Sequence, residues 1–200
     1  MNVGRLIAFE GVDGAGKSTQ LRRLAAALRA EGRDVVETRE PTDGPWGRRI
    51  REMARSGARV APEEELRWFV EDRREHVAAV LRPGVARGAL VLTDRYFLST
   101  VAYQGARGLD AQRLLAEAEA EFPLPDLALV LDVDPEAGLA RVAARGGVAE
   151  PAFEDGPFLA RVVAIFRGLE RPYVQHVDAR EEPDLVSRAV REAAWRRLDL

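Results

Sequence analysis

Apolar positions along this 200-residue chain fall into short continuous runs separated by stretches with helical spacing. Arg5 to Glu10 (RLIAFE) reads as a buried strand. After a Gly-rich loop, Leu21, Leu24, Ala25 and Leu28 recur at i, i+3, i+4 and i+7, which predicts a helix from Lys17 to Ala30 ended by Gly32. Asp34 to Thr38 (DVVET) is a second strand, and a turn-rich loop from Pro41 to Pro45 leads into a helix reaching Ser56 and Gly57. Pro62 opens a long helix to Leu81, closed by Pro83-Gly84, with an apolar stripe of Leu66, Phe69, Val70, Val77, Val80 and Leu81. Ala89 to Thr93 is a third strand. Leu127 to Val133 (LALVLDV) is a fourth, apolar at nearly every position, as suits a parallel strand covered on both faces. Asp134-Pro135 has the form of an N-cap with proline at the first helical position. Residues 146–157, rich in Gly and Pro, read as a mobile loop. A fifth strand near Gln175 to Val177 and a helix from Pro183 follow.

Strands alternating with helices imply an α/β protein with a parallel sheet covered on both faces. No repeat or linker divides the chain, so residues 1–200 are expected to form one domain. In such sheets ligands bind beyond the carboxyl ends of strands. That directs attention to residues 10–18, 39–45, 94–105, 133–136 and 178–182.

Composition narrows the chemistry. There is no cysteine, which excludes disulfides, thiolate metal sites and a cysteine nucleophile, and two histidines cannot build a His-rich metal centre. No apolar run approaches the ~18 residues of a membrane span, and the N-terminus lacks the form of a signal peptide. The expected location is the cytoplasm, with no membrane partner. A net charge of −3 argues against nucleic acid as a partner. The charge is unevenly divided: residues 1–100 carry 18 basic and 15 acidic side chains (+3), residues 101–200 carry 12 and 18 (−6). Among 30 basic residues the only lysine is Lys17. The scarcity of Asn, Cys and Met would suit a heat-adapted chain.

That lysine lies in Gly11-Val12-Asp13-Gly14-Ala15-Gly16-Lys17-Ser18, a full match to G-x-x-x-x-G-K-[ST] between a strand and a helix. Glycines let backbone amides turn inward around phosphate oxygens, and the helix N-terminus adds positive potential. Lys17 reaches β- and γ-phosphates in such loops, and the Ser18 hydroxyl ligates Mg²⁺. With Thr19 the loop forms the expected ATP site. The fold is therefore expected to be a P-loop NTPase-type three-layer fold with a five-stranded parallel sheet and helices on both faces. The Asn-Lys-x-Asp element of GTPases is absent, and a small-molecule kinase is the favoured class.

Further clusters stand at strand ends or on the long helix. Arg39-Glu40-Pro41 follows the second strand and Asp94-Arg95-Tyr96 the third, with Ser99, Thr100, Tyr103 and Gln104 behind it. Arg73 lies four residues from Phe69 on the apolar stripe, where an unpaired guanidinium is costly. Two readings stand side by side. Either Arg73 forms a structural ion pair with Glu40 or Asp94, or a flat ring stacks on Phe69 while Arg73 donates to its carbonyl. Arg39 and Asp94 have a similar alternative, pairing with each other.

Together these elements resemble the thymidylate kinase family. They are Glu10 to Thr19, Arg39-Glu40-Pro41, Phe69 to His76 as F-x-x-D-R-x-x-H, and Asp94-Arg95-Tyr96-x-x-Ser99-Thr100-x-Ala102-Tyr103-Gln104-Gly105, then Leu131-Asp132-Val133. The resemblance implies transfer of the ATP γ-phosphoryl group to dTMP with Mg²⁺, in a homodimer. It implies that Asp13 accepts from the 3′-hydroxyl, that Arg39 and Arg95 hold the 5′-phosphate, and that Phe69 stacks on thymine. Arg73 would bond a ring carbonyl, and Ser99, Thr100 and Gln104 the remaining base edge. Tyr103 would fill the space of a 2′-hydroxyl, Asp94 would help position Mg²⁺, and Arg180 would stack on adenine. Family members carry a further transition-state arginine in the phosphate loop or in the lid. Here the loop position is Gly14 and the lid stretch 147–154 has no arginine. Arg141 and Arg145, just before the lid at 146–157, are the candidates that remain.

Overall fold

A computed structural model describes residues 4–144 and 156–198 of the chain. The described residues form a five-stranded, all-parallel sheet in the order β2-β3-β1-β4-β5. Its strands are β1 (Arg5–Glu10), β2 (Val35–Arg39), β3 (Leu90–Asp94), β4 (Leu127–Asp132) and β5 (Val174–Asp178). β1, β3 and β4 are buried along almost their whole length, whereas β2 and β5 alternate partly exposed positions, as edge strands do. The apolar runs seen in the sequence are thus the central strands, covered on both faces.

The helices form two packed groups around the sheet. α1 (Lys17–Ala30) lies against β1, β2 and β3 and packs on α9 (Pro183–Leu198), which also meets β4 and β5. The second group contains α2 (Pro45–Ser56), α3 (Pro62–His76), α5 (Phe97–Ala106), α6 (Ala111–Glu121) and α8 (Gly156–Arg167). α7 (Pro135–Ala144) packs on α8.

Two boundaries differ from the sequence reading. The long helix does not close at Pro83-Gly84. After α3 it widens into a π-type turn, Val77–Leu81, and runs on as α4 (Arg82–Ala86). Proline has no N–H to continue an α-helical ladder and crowds the carbonyl four residues back. The wider turn, in which the Arg82 amide donates to Val77 O, absorbs that mismatch. Of the loop expected at 146–157, residues 146–155 lie outside the described residues, while Gly156 and Pro157 already belong to α8.

Candidate active site

β1 ends at Glu10 and the chain turns at once through Gly11 to Gly16 into α1. Gly11, Gly14 and Gly16 have φ of 130°, 80° and 94°, values an L side chain resists. No side chain caps α1, so its first-turn amides face the loop's concavity. The loop is held from behind by α7. A Cβ on Gly14 would lie 2.1 Å from Gly138 O, and one on Gly138 would lie 2.7 Å from Asp13 O. The position where some family members place an arginine is therefore closed to any side chain here without moving α7.

Lys17 is buried. Its Nζ donates to Val12 O at 2.9 Å and lies 3.5 Å from Asp13 Oδ1. Burial pulls its pKa down, as does Arg95, while Asp13 and Asp94 oppose the shift. The Ser18 hydroxyl donates to Asp94 Oδ2, so the end of β3 meets the start of α1. A hydroxyl and a carboxylate side by side are hard oxygen donors. Among the described residues there is no cluster of three or more His, Cys, Asp or Glu side chains to hold a metal alone. This donor pair fits Mg²⁺, which is bound through one or two protein groups plus substrate phosphates and water.

Arg95 is the non-glycine residue with positive φ among those described, at 72°. Its Nη2 donates to Asp13 Oδ1 at 2.6 Å, and its Nη1 to Gly11 O at 3.2 Å and Ser99 Oγ at 3.1 Å. The guanidinium stands 5.2 Å from the centre of the Tyr103 ring. Burial opposes charge on Asp13, but Arg95 and Lys17 outweigh it and hold the carboxyl well below the usual range.

A cleft of about 470 Å³ opens beside this group, lined by Asp13, Ser18, Arg39, Phe69, Arg73, Arg95, Ser99, Thr100 and Tyr103, with Arg51 at its α2 side. A groove of about 790 Å³ lies on the other side of Ser18 and Asp94, but neither Asp13 nor Arg95 reaches it. Arg73 pairs with Glu40, not Asp94: Nη2 is 2.6 Å and Nε 2.9 Å from Oε2. Its Nη2 also donates to Thr100 Oγ1 at 2.8 Å. His76 Nδ1 lies 2.9 Å from Glu40 Oε1. Burial pushes the Glu40 carboxyl up, but Arg73 and His76 more than reverse this. Arg39 pairs with Asp43 at 2.9 Å and is largely exposed at the cleft mouth, so it does not pair with Asp94.

Three expected residues stand apart from this cleft. Gln104 is fully buried, donates to Glu65 Oε1 at 2.6 Å and does not line the cleft. Arg180 is exposed and pairs with Asp178 at 2.7 Å beyond β5. Arg141 reaches from α7 to the same loop, donating to Ala179 O at 2.8 Å and Arg180 O at 3.2 Å. Arg145 lies outside the described residues. Two others were not visible in the sequence, and a third, Glu10, was visible only as the residue that opens the phosphate-loop element. Gly138 backs the phosphate loop. Arg51 donates to Pro41 O at 2.9 Å and Thr42 O at 2.6 Å while facing the cleft. Glu10, fully buried beneath Arg95, accepts from Ser99 Oγ and from the Tyr96 amide at 3.0 Å.

A parallel sheet whose central strand ends in a complete G-x-x-x-x-G-K-S loop defines a P-loop nucleotide-binding protein. The comparisons take this further. A family model described as Thymidylate kinase matches residues 9–190. The chain is 44% identical over 189 residues to a thymidylate kinase of Desulfotalea psychrophila, covering 94% of this chain and 93% of that protein. It is 49% identical over 185 residues to a thymidylate kinase of Xanthomonas oryzae pv. oryzae, covering 92% and 80%. The chain belongs to the thymidylate kinase family.

Proposed function

We propose that this chain transfers the γ-phosphoryl group of ATP to dTMP, giving dTDP and ADP, as a single domain over residues 1–200 that works as a cytoplasmic homodimer. Among the described residues no helix is long and apolar enough to cross a membrane. The observation that carries the reading is the shared wall: Asp13 and Ser18 belong to the phosphate loop and also line the cleft that holds Phe69, Arg73 and Arg95. Donor and acceptor phosphates would meet across that wall.

The loop amides and Lys17 would hold the β- and γ-phosphates. Mg²⁺, when bound, neutralises phosphate charge beside Ser18 and Asp94. Arg39, Arg51 and Arg95 would hold the acceptor phosphate. Phe69 would stack on the base, Arg73 would reach a ring carbonyl, and Ser99 and Thr100 would meet its remaining edge. Tyr103 would exclude a 2′-hydroxyl, and Asp13 would accept from the 3′-hydroxyl. The attacking 5′-phosphate oxygen is already ionised, so no general base is needed. Its lone pair forms the new bond to phosphorus as the bond to the β-phosphate oxygen breaks, and ADP leaves with that electron pair. Catalysis is then positioning and charge neutralisation.

A coupled assay of ADP formation across dTMP, dUMP, CMP, GMP and AMP tests the reading. dTMP should be the best acceptor. A better one would move the substrate, and ADP formation independent of acceptor would end the kinase reading. Lys17→Ala should lower kcat/KM by about a hundredfold or more. Arg145→Ala should lower kcat by about tenfold or more, about 1.4 kcal/mol of transition-state stabilisation. An unchanged kcat would transfer that role to Arg141 or Arg95.

A further inference from the structure

Glu10 has no part in the scheme above, yet it sits fully buried where the donor loop begins. Its two oxygens face different partners. Oε1 accepts from the backbone amide of Tyr96, the N-cap residue of α5, and Oε2 accepts from the Ser99 hydroxyl. A serine hydroxyl has one proton to give. Once it is given to Glu10, the lone pairs of Ser99 Oγ are free to accept, and Arg95 Nη1 donates to them at 3.1 Å. The carboxylate thus sets the polarity of a short chain that ends on the Arg95 guanidinium.

Glu10 also bears on the backbone that carries Arg95. The left-handed turn at Arg95 is pinned on one side by its own amide, which donates to Phe9 O at 2.8 Å. On the other side it is pinned by the Tyr96 amide on Glu10. Two other side-chain bonds of Arg95, to Gly11 O and Asp13, are made to the phosphate loop, and its guanidinium also faces the Tyr103 ring. Ser99 and Tyr103, both on α5, therefore hold this guanidinium independently of that loop, and of the two only Ser99 connects it to Glu10.

We infer that Glu10 is a positioning residue, which aims the Arg95 guanidinium at the acceptor phosphate through the Ser99 hydroxyl. The inference rests on the reading of Arg95 as a ligand of that phosphate. The relay needs Glu10 ionised, and burial opposes that. Burial pushes the Glu10 carboxyl up to about 7, with Ser99, Arg95 and Arg73 pulling back and Glu40 adding to the rise. A glutamine that keeps its oxygen on the Tyr96 amide would turn its amide donor on Ser99 Oγ, reversing that contact so that the amide competes with Arg95 for the hydroxyl's lone pairs.

The test is a pair of calorimetric titrations, dTMP against thymidine, on the full chain and on Glu10→Gln and Ser99→Ala. Thymidine has no 5′-phosphate, so it reports the rest of the cleft. Glu10→Gln should weaken dTMP binding about tenfold and leave thymidine within about twofold, and Glu10→Gln/Ser99→Ala should be no weaker for dTMP than the worse single variant. Equal weakening of both ligands would make Glu10 a structural residue and overturn the inference, as would unchanged dTMP binding or additive losses. Should Glu10→Gln fail to fold, the same two titrations on Ser99→Ala decide the matter, with thymidine reporting any contact of Ser99 with the base: a dTMP loss no larger than the thymidine loss refutes the relay. Failure of the parent chain to bind dTMP would instead refute the proposed function.

Discussion

Arg73 lies on the apolar stripe of α3, and Glu40 from the loop after β2 neutralises it while both stay about 2–3% exposed. Removing one partner of such a pair leaves an uncompensated buried charge, so Glu40→Gln should cost about 3–5 kcal/mol in chemical denaturation. The pH dependence of two buried acids runs in opposite senses. The depressed Glu40 carboxyl contributes stability that is present above its unfolded pKa and lost as pH falls through its folded one. Glu10 is raised from an ordinary 4.5 to about 7, so its folded form holds a proton that the unfolded chain gives up, and stability falls as pH rises across that interval. The stability of Glu10→Gln relative to the parent should therefore increase between pH 4 and pH 8, by on the order of 3 kcal/mol. A difference that stays flat in urea titrations at the two pH values would contradict this. Lys17 was legible as a candidate from its loop motif, and Arg39, Asp94 and Arg95 because topology makes strand ends special. Glu10 was visible only as the opening residue of the phosphate-loop element; its partners were not, since they lie 86 and 89 residues away and a lone acid closing an apolar run looks like a strand end meeting water.

Among the elements, β1 and α1 match the sequence pattern residue for residue, because alternation of a solid apolar run with an i, i+3, i+4, i+7 stripe leaves little choice. α5 had no such signature. From Phe97 to Gln104 every residue is buried, so there is no polar face to give the run a period. That burial also turned Gln104 toward Glu65 and away from the cleft, which spacing within D-R-Y-x-x-S-T-x-A-Y-Q-G does not reveal. The close approach of α7 to the phosphate loop is similarly invisible in sequence, where Gly138 is an ordinary helical glycine. Its added Cβ would press on backbone, which cannot swing aside as a flexible side chain would. Gly138→Ala should destabilise the protein by about 1–3 kcal/mol and raise the KM for ATP, measured by denaturation and steady-state kinetics.

At the scale of the whole molecule, the order β2-β3-β1-β4-β5 sets β3 directly beside β1, with Asp94 in register with Phe9. The alternation of elements announced a parallel sheet, but which strands are neighbours was not readable, because paired strands are separated by 41 to 116 residues. The proposed homodimer should appear as a species of twice the 22.1 kDa chain mass in sedimentation at micromolar concentration. A single-chain mass there would leave each cleft to function alone. The adjacency of β1 and β3 has a mechanical meaning as well. The loop leaving β1 and the arginine leaving β3 are separated by one interstrand spacing, roughly 4.8 Å. On the proposed function, that ladder of backbone bonds between β1 and β3 would act as the ruler between two mutually repelling anions.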